Sequence, residues 1–193
     1  IMFHLNDEKM IKGGSRMTDM LDKGTVFHCI RTSIYAVKFS FTIKGKVNVL
    51  NTWLSAILHD IGKMKVPKSI LNKPDRLTEE EMTVMRKHAG KGAEILRGKL
   101  PLSIIEPIRY HHENIDGSGY YGAFADSIPE VSKIIRVCDV YDSLITKRPY
   151  KEPWTKKQAL DYLKEKSGTP FDPVYVEILC EITIKSRKKF CLD

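Results

Sequence analysis

The chain has 193 residues, with 32 Lys and Arg against 24 Asp and Glu, a formal charge of +8 when its six His are counted as neutral. That length suits one domain with at most a short extension, and 42% hydrophobic with 29% charged residues excludes intrinsic disorder and a fibrous repeat. No stretch reaches the roughly 18 uncharged apolar residues of a membrane span, the most apolar being Val47 to Leu58, so a soluble protein is expected.

Taken in chain order, Val26, Ile30, Ile34 and Val37 recur at helical spacing and predict a helix that carries His28. Leu50, Trp53, Leu54, Ile57, Leu58 and Ile61 predict a second, ending at His59 and Asp60 with Gly62 as its stop. Thr78 and Glu81 have the capping-box form and open a helix through Met82, Met85 and His88, with Gly90 soon after. Ser103 to His112 reads as a helix after Pro101, kinked or started by Pro107. Asn114 to Ile128 is turn-rich. Helical periodicity resumes from Val131 to Leu144. A second capping box, Thr155 with Gln158, starts a helix to about Lys166, and a last helix begins near Pro173 after the break at Ser167 to Pro170. No alternating pattern competes, so the fold class is all-α.

The first residue is Ile1, and no basic segment followed by an apolar one precedes the first helix, so a fragment boundary with a missing N-terminal partner domain is expected. Cys29, Cys138, Cys180 and Cys191 have no CxxC or paired spacing and read as reduced thiols of a cytoplasmic protein. The basic balance points to a polyanionic partner or substrate, or to solubility alone. Dispersed basic residues, apart from Lys185 to Lys189, disfavour a nucleic-acid binder.

Five histidines, His28, His59, His88, His111 and His112, fall on helices or at their ends. Neighbours on a helix point about 100° apart, so His59-Asp60 and His111-His112 can each hold one metal from two directions or bridge two. Asp139 is a carboxylate in an otherwise apolar helix, and a buried charge needs a partner or a metal. Singly, each has a plain structural reading: a hydrogen-bonded core histidine, or an ion-pair partner for Asp139. His4, in a polar stretch, keeps that reading. Together, the set supplies enough nitrogen and oxygen ligands for two metal ions in a helical bundle.

The string His59-Asp60-Ile61-Gly62-Lys63, then Val66-Pro67, Ile70-Leu71, His111-His112-Glu113 and Asp116-Gly117-Ser118-Gly119-Tyr120, closely resembles the HD-GYP domain, a subgroup of the HD metal-dependent phosphohydrolases. Asp139 to Asp142, Lys147 to Lys151 and Phe171-Asp172-Pro173 extend the likeness, which runs from about His28 to Ile178. The resemblance implies an HD-type helical bundle with a metal centre in its core, spanning residues 25–193 after a linker or lead-in helix at 1–24. It implies hydrolysis of cyclic di-GMP to linear pGpG or GMP. By motif, His28, His59, Asp60 and Asp139 would hold a first metal, and Asp60 would bridge to a second on His88, His111 and His112. Some members add a third ion through a Glu that here is Gly24, so two divalent ions are expected. Tyr121 replaces the Pro of the GYP signature and Asn114 replaces a frequent Arg. Proline stiffens a turn, so these changes bear on substrate fit and on a protein partner docking through the Gly119-Tyr120-Tyr121 loop.

The expected chemistry is a water bridging two ions roughly 3.5 to 4 Å apart, deprotonated to a hydroxide that attacks phosphorus in line. Asp60 and Lys63 are the expected catalytic pair, with the Lys63 ammonium on a nonbridging phosphate oxygen. Imidazole and carboxylate ligands without thiolate favour Fe or Mn over a structural zinc cluster. The resemblance implies that Arg148 and Lys151 contact phosphate or guanine; Tyr120 is expected to stack on a base, with Tyr121 and Tyr141 as rivals for that role, and Asp142 to orient a ligand or Lys63. Cys29 and Cys138 are expected to point away as packing residues. Two other functions fit the same residues: a cyclic-dinucleotide or protein-binding module with little turnover, and an HD hydrolase of another nucleotide such as cyclic GMP-AMP.

Overall fold

The structure is a computed structural model that describes residues 21–147 and 152–188. Nine α-helices follow one another among these residues: α1 (Lys23–Thr42), α2 (Val49–Leu58), α3 (Lys68–Leu71), α4 (Glu79–Arg86), α5 (His88–Leu96), α6 (Leu102–Arg109), α7 (Glu130–Ile145), α8 (Lys156–Glu165) and α9 (Pro173–Lys188). Two 3-10 turns, Ile61–Lys65 and Ala125–Ser127, complete the order. The described residues form two isolated β-bridges and no strand, so the protein is all-α.

Local chemistry sets most helix starts. The Asp22 carboxylate accepts from the Thr25 amide at 2.9 Å and opens α1. Asn48 does the same for α2 through the Asn51 amide. The two capping boxes read from the sequence are both formed, Thr78 with Glu81 and Thr155 with Gln158. α1 and α2 pack against each other, and both bury small residues: Cys29, Ser33, Ala36 and Ser40 on α1, and Thr52, Ser55 and Ala56 on α2.

Two predicted helices end earlier than their periodicity implied. The helix from Thr78 stops at Arg86, and His88 begins α5 instead of closing the previous helix. The Lys87 amide turns back to Val84 and Met85, and His88 Nδ1 takes the Met85 carbonyl at 2.7 Å, so a side chain replaces the next ladder bond. Likewise α6 stops at Arg109, leaving His111 and His112 in the turn beyond it. Pro107 lies inside α6, where its missing N–H frees a carbonyl; Ser55 and Ser132 hydroxyls approach the same helix, donating to the Ile104 and Pro107 carbonyls.

The larger apolar core joins α1, α7, α8 and α9 through Phe39, Ile134, Ile135, Tyr141, Leu163 and Leu179. A smaller one joins Ile61 to α5 and α6 through Leu96, Ile104, Ile105 and Ile108. Ala56 belongs to the first and Ile61 to the second, so His59 and Asp60 lie where the chain passes from one core to the other. The 3-10 turn after Asp60 rests directly on α5. A Cβ on Gly62 would come within 1.8 Å of the His88 carbonyl oxygen, so only glycine allows this approach.

Candidate metal centre

Three of the histidines end up in the same local geometry. Each stands three residues past a carbonyl left open near a helix end, and its Nδ1 meets that oxygen: His59 with Ala56 at 2.7 Å, His88 with Met85 at 2.7 Å, His111 with Ile108 at 2.6 Å. A carbonyl only accepts, so Nδ1 carries the proton, and in a neutral imidazole Nε2 is then a bare lone pair. The helix ends thus settle the tautomer and turn all three Nε2 atoms inward. His28 is fixed differently, its Nδ1 lying 2.7 Å from an Asp142 carboxylate oxygen.

These nitrogens converge around Asp60, which is almost wholly buried. Its Oδ1 faces His88 Nε2 at 3.3 Å, and its Oδ2 faces His59 Nε2 at 3.4 Å and His28 Nε2 at 3.9 Å. Asp139 Oδ1 is 2.9 Å from His28 Nε2. The ligand atoms form two groups, His28, His59 and Asp60 on one side and His88, His111 and His112 on the other. Asp60 therefore offers one oxygen to each side.

The chemistry of this set fits divalent cations. His88 and His111 bring their Nε2 atoms to 3.3 Å although each donates through Nδ1, so two lone pairs face each other. A cation between them removes that repulsion. His59 Nε2 is buried and has no hydrogen-bond partner, and a buried polar atom without one is costly. Asp60 and Asp139 supply the matching negative charge.

Charge is distributed unevenly across the centre. For His28, burial opposes protonation, but the Asp139 and Asp142 carboxylates outweigh it and raise its pKa. His111 is pushed well down by burial and by the neighbouring imidazoles. His112 is pushed down to about 3, chiefly by burial. Burial would raise Asp60, but Lys63 and His59 hold it well below the usual carboxylate range.

All seven residues expected as metal ligands come together here. Lys63 reaches Asp60 Oδ2 at 2.6 Å and is partly exposed to the cleft. Tyr120 lies at the rim, its ring 4.6 Å from that of His112 and with Arg86 over its face. Asp142 orients His28 rather than Lys63. Arg148 and Lys151 lie outside the described residues. The cleft over the centre measures about 730 Å³ and is lined among others by His28, Lys63, Lys73, His88, His112 and Tyr120, a size usual for ligand sites.

Three features were missed by sequence reasoning. Arg31 grips Asp142 with Nε at 2.6 Å and Nη2 at 3.0 Å, and its spacing of three from His28 on one helix was the available signal. Glu113, also buried, accepts from the Tyr121 and Ala123 amides at 2.8 and 2.7 Å and clamps the loop that carries Tyr120. Tyr121 sits against Tyr110 with Arg109 over its ring, so the residue standing where the signature has proline is packed in place. Cys29 and Cys138 are both buried as expected, but Cys29 also adjoins His59: burial works against protonation of that imidazole, and Asp60, with Cys29 after it, outweighs burial and raises its pKa.

Among known proteins, the chain is 44% identical over 131 residues to the cyclic di-GMP phosphodiesterase response regulator RpfG of Xanthomonas campestris pv. campestris, covering 65% of this chain and 34% of that protein. It is 44% identical over 128 residues to 3'3'-cGAMP-specific phosphodiesterase 2 of Vibrio cholerae, covering 64% of this chain and 24% of that one. The chain thus spans about a third or less of the length of these relatives. Its fold is similar to that of Bd1817, an HDG"Y"P protein from Bdellovibrio bacteriovorus, with a TM-score of 0.68 at 23% identity over 86% of this chain and 53% of that one. Residues 39–174 match the family described as HD domain, most of the helical bundle and all but one of the clustered ligands, and the chain belongs to the HD-domain family.

Proposed function

We propose that the chain is a metal-dependent phosphodiesterase that hydrolyses cyclic di-GMP to linear pGpG, GMP or both, in the cytoplasm. The observation that carries this reading is the pair of ligand groups joined by Asp60 at the floor of a cleft edged with cations. His28, His59, Asp60 and Asp139 would hold one ion, and Asp60, His88, His111 and His112 a second. Fe or Mn suits this imidazole and carboxylate set. Gly24 offers no ligand for a third ion, and the nearby Asp22 carboxylate is engaged by the amide and hydroxyl of Thr25. Bound there, the ions supply Lewis-acid catalysis and a nucleophile at neutral pH.

The chain's own groups place the substrate. Burial works against the Lys63 ammonium, but Asp60 outweighs it and raises its pKa, so the group stays charged at the cleft, where it would meet a phosphate oxygen of the substrate. Lys73 lines the mouth with its ammonium paired to Glu81 at 2.6 Å, and the Tyr120 ring offers a flat face for a base. Glu113 holds the Tyr120 loop by two backbone bonds, so the ring is presented in one orientation. Arg31 and Asp142 keep His28 in the tautomer that presents Nε2.

Equal identity to a 3'3'-cGAMP-specific enzyme supports a second reading, in which cyclic GMP-AMP is the substrate. The test is product analysis with purified protein loaded anaerobically with Fe(II) or Mn(II), offering cyclic di-GMP and 3'3'-cGAMP side by side. Linear product from cyclic di-GMP, lost in His59→Ala and Asp60→Ala, is expected. Faster turnover of 3'3'-cGAMP selects the second reading, and binding of either dinucleotide without product under both metals overturns the enzymatic one in favour of a binding module.

A further inference from the structure

From Lys23 to His59 the chain contains no Asp or Glu, but it carries Lys23, Arg31, Lys38, Lys44 and Lys46. Five of the eight net positive charges are thus concentrated in the α1–α2 hairpin. Arg31 is taken by Asp142, whereas the four lysines are exposed and make no ion pair among the described residues. On the same hairpin, Phe27, Ile30, Ile34 and Phe41 recur at three, four and seven residues along α1, the spacing of one helix face. That face lies opposite the buried Cys29, Thr32 and Ala36. Phe27 is 59% exposed, Ile34 50% and Phe41 61%, and on the packed neighbour α2 Leu50 is 60% and Trp53 41% exposed. Seven of the twelve exposed large hydrophobic residues among those described fall between Phe27 and Trp53.

An apolar face of this extent marks a contact surface, and its charge selects the occupant. A second copy docked by a two-fold axis would set the patch against itself, facing lysines with lysines and no carboxylate between them. Protein interfaces favour Arg and are depleted in Lys, whereas here every cation without a carboxylate partner among the described residues is Lys, Lys38 lying over the Tyr35 ring. Lysine on a long apolar stem beside Phe, Leu and Trp is the composition of a surface that lies in the headgroup layer of a negatively charged bilayer. No described helix is long and apolar enough to cross a membrane, so the contact is peripheral.

We propose that the solvent face of the α1–α2 hairpin docks on an anionic lipid surface through Ile34, Phe41, Leu50 and Trp53, with Lys38, Lys44 and Lys46 on the headgroups. Phe27 belongs both to this face and to the cleft lining, so docking holds the mouth of the cleft beside the membrane.

The test is co-sedimentation of the 193-residue chain with phosphatidylcholine vesicles, with and without phosphatidylglycerol. Binding is expected only with phosphatidylglycerol and is reversed by salt. A variant combining Ile34→Gln, Phe41→Gln and Leu50→Gln, all exposed positions, loses it. Lys44→Gln with Lys46→Gln, at the exposed hairpin turn, weakens it about 25-fold, since each lysine near an anionic surface contributes about fivefold. Nucleotide hydrolysis in solution is read in parallel and is unchanged in both variants. Absence of vesicle binding overturns the proposal, as does binding retained in both variants. A dimer seen by light scattering and dispersed by the apolar variant, without vesicle binding, also overturns it and assigns the face to a second copy.

Discussion

Asp142 shows how much of the centre depends on a residue that would touch no ion. Its carboxylate accepts from His28 Nδ1 at 2.7 Å and from two nitrogens of Arg31. An amide at this position keeps the shape but can present an N–H to His28, allowing the ring to protonate on the inward nitrogen. Asp142→Asn is therefore expected to weaken metal affinity 10- to 100-fold, the usual scale for such supports, while the helical circular dichroism signal is unchanged. Titration of activity against metal concentration reads it: the half-saturating concentration rises while the activity at saturation largely returns. Tyr35 gives a prediction in alkali. Burial, with Tyr141 and Asp142 nearby, pushes its hydroxyl up to about 12 from a usual value near 10. A group whose pKa is raised by folding contributes stability that is complete below pH ~10 and is lost as pH climbs through about 12. Tyr35→Phe should flatten the fall in stability across that window, measured by urea unfolding at successive pH values.

At the scale of elements, the legible part of the site is the part that residue type and order encode. His59-Asp60 stands at a helix end because apolar periodicity stops beside it, and both the residues and the stop can be read from a string; the His111-His112 pair can be read as well, but the stop of α6 at Arg109 cannot. The break between Arg86 and His88 could not, because periodicity runs through it and the interruption comes from an imidazole taking a backbone carbonyl. The role of Glu113 was equally hidden: its partners are the amides of Tyr121 and Ala123, and a backbone N–H has no signature in sequence. Gly62 read only as a helix stop, yet its function is close approach. A methyl group there meets the His88 carbonyl at 1.8 Å and the Gly92 amide at 2.5 Å, both backbone atoms that cannot rotate away. Gly62→Ala must therefore separate the 3-10 turn from α5 and carry Asp60 away from His88. We expect a loss of about 3 kcal/mol or more in unfolding free energy, at the upper end of overpacking costs, and failure to retain metal after gel filtration even where the variant remains folded.

At the scale of the molecule, the candidate ligands come from five places: α1 gives His28, the end of α2 gives His59 and Asp60, α5 gives His88, the turn after α6 gives His111 and His112, and α7 gives Asp139. The two apolar cores are otherwise joined mainly by packing around α2 and α6. Ions held at this junction would tie both cores together, because each group of ligands draws on more than one helix and Asp60 belongs to both. Binding to the folded chain alone stabilises it by mass action, by about 2 kcal/mol for each of two ions and about 4 kcal/mol in total when free metal is roughly thirtyfold above each Kd. For a chain of this size about 1 kcal/mol moves Tm by 2 to 4 °C, so removing metal with a chelator should lower Tm by roughly 8 to 16 °C. Scanning calorimetry of the loaded and chelated protein measures this directly. Asp60→Asn, which weakens both groups together, should bring the loaded protein most of the way to the chelated Tm. Asp139→Asn, which touches only the His28 side, should leave a substantial part of the shift in place. Equal losses in the two variants would show that the ions bind as one unit rather than as two sites sharing Asp60.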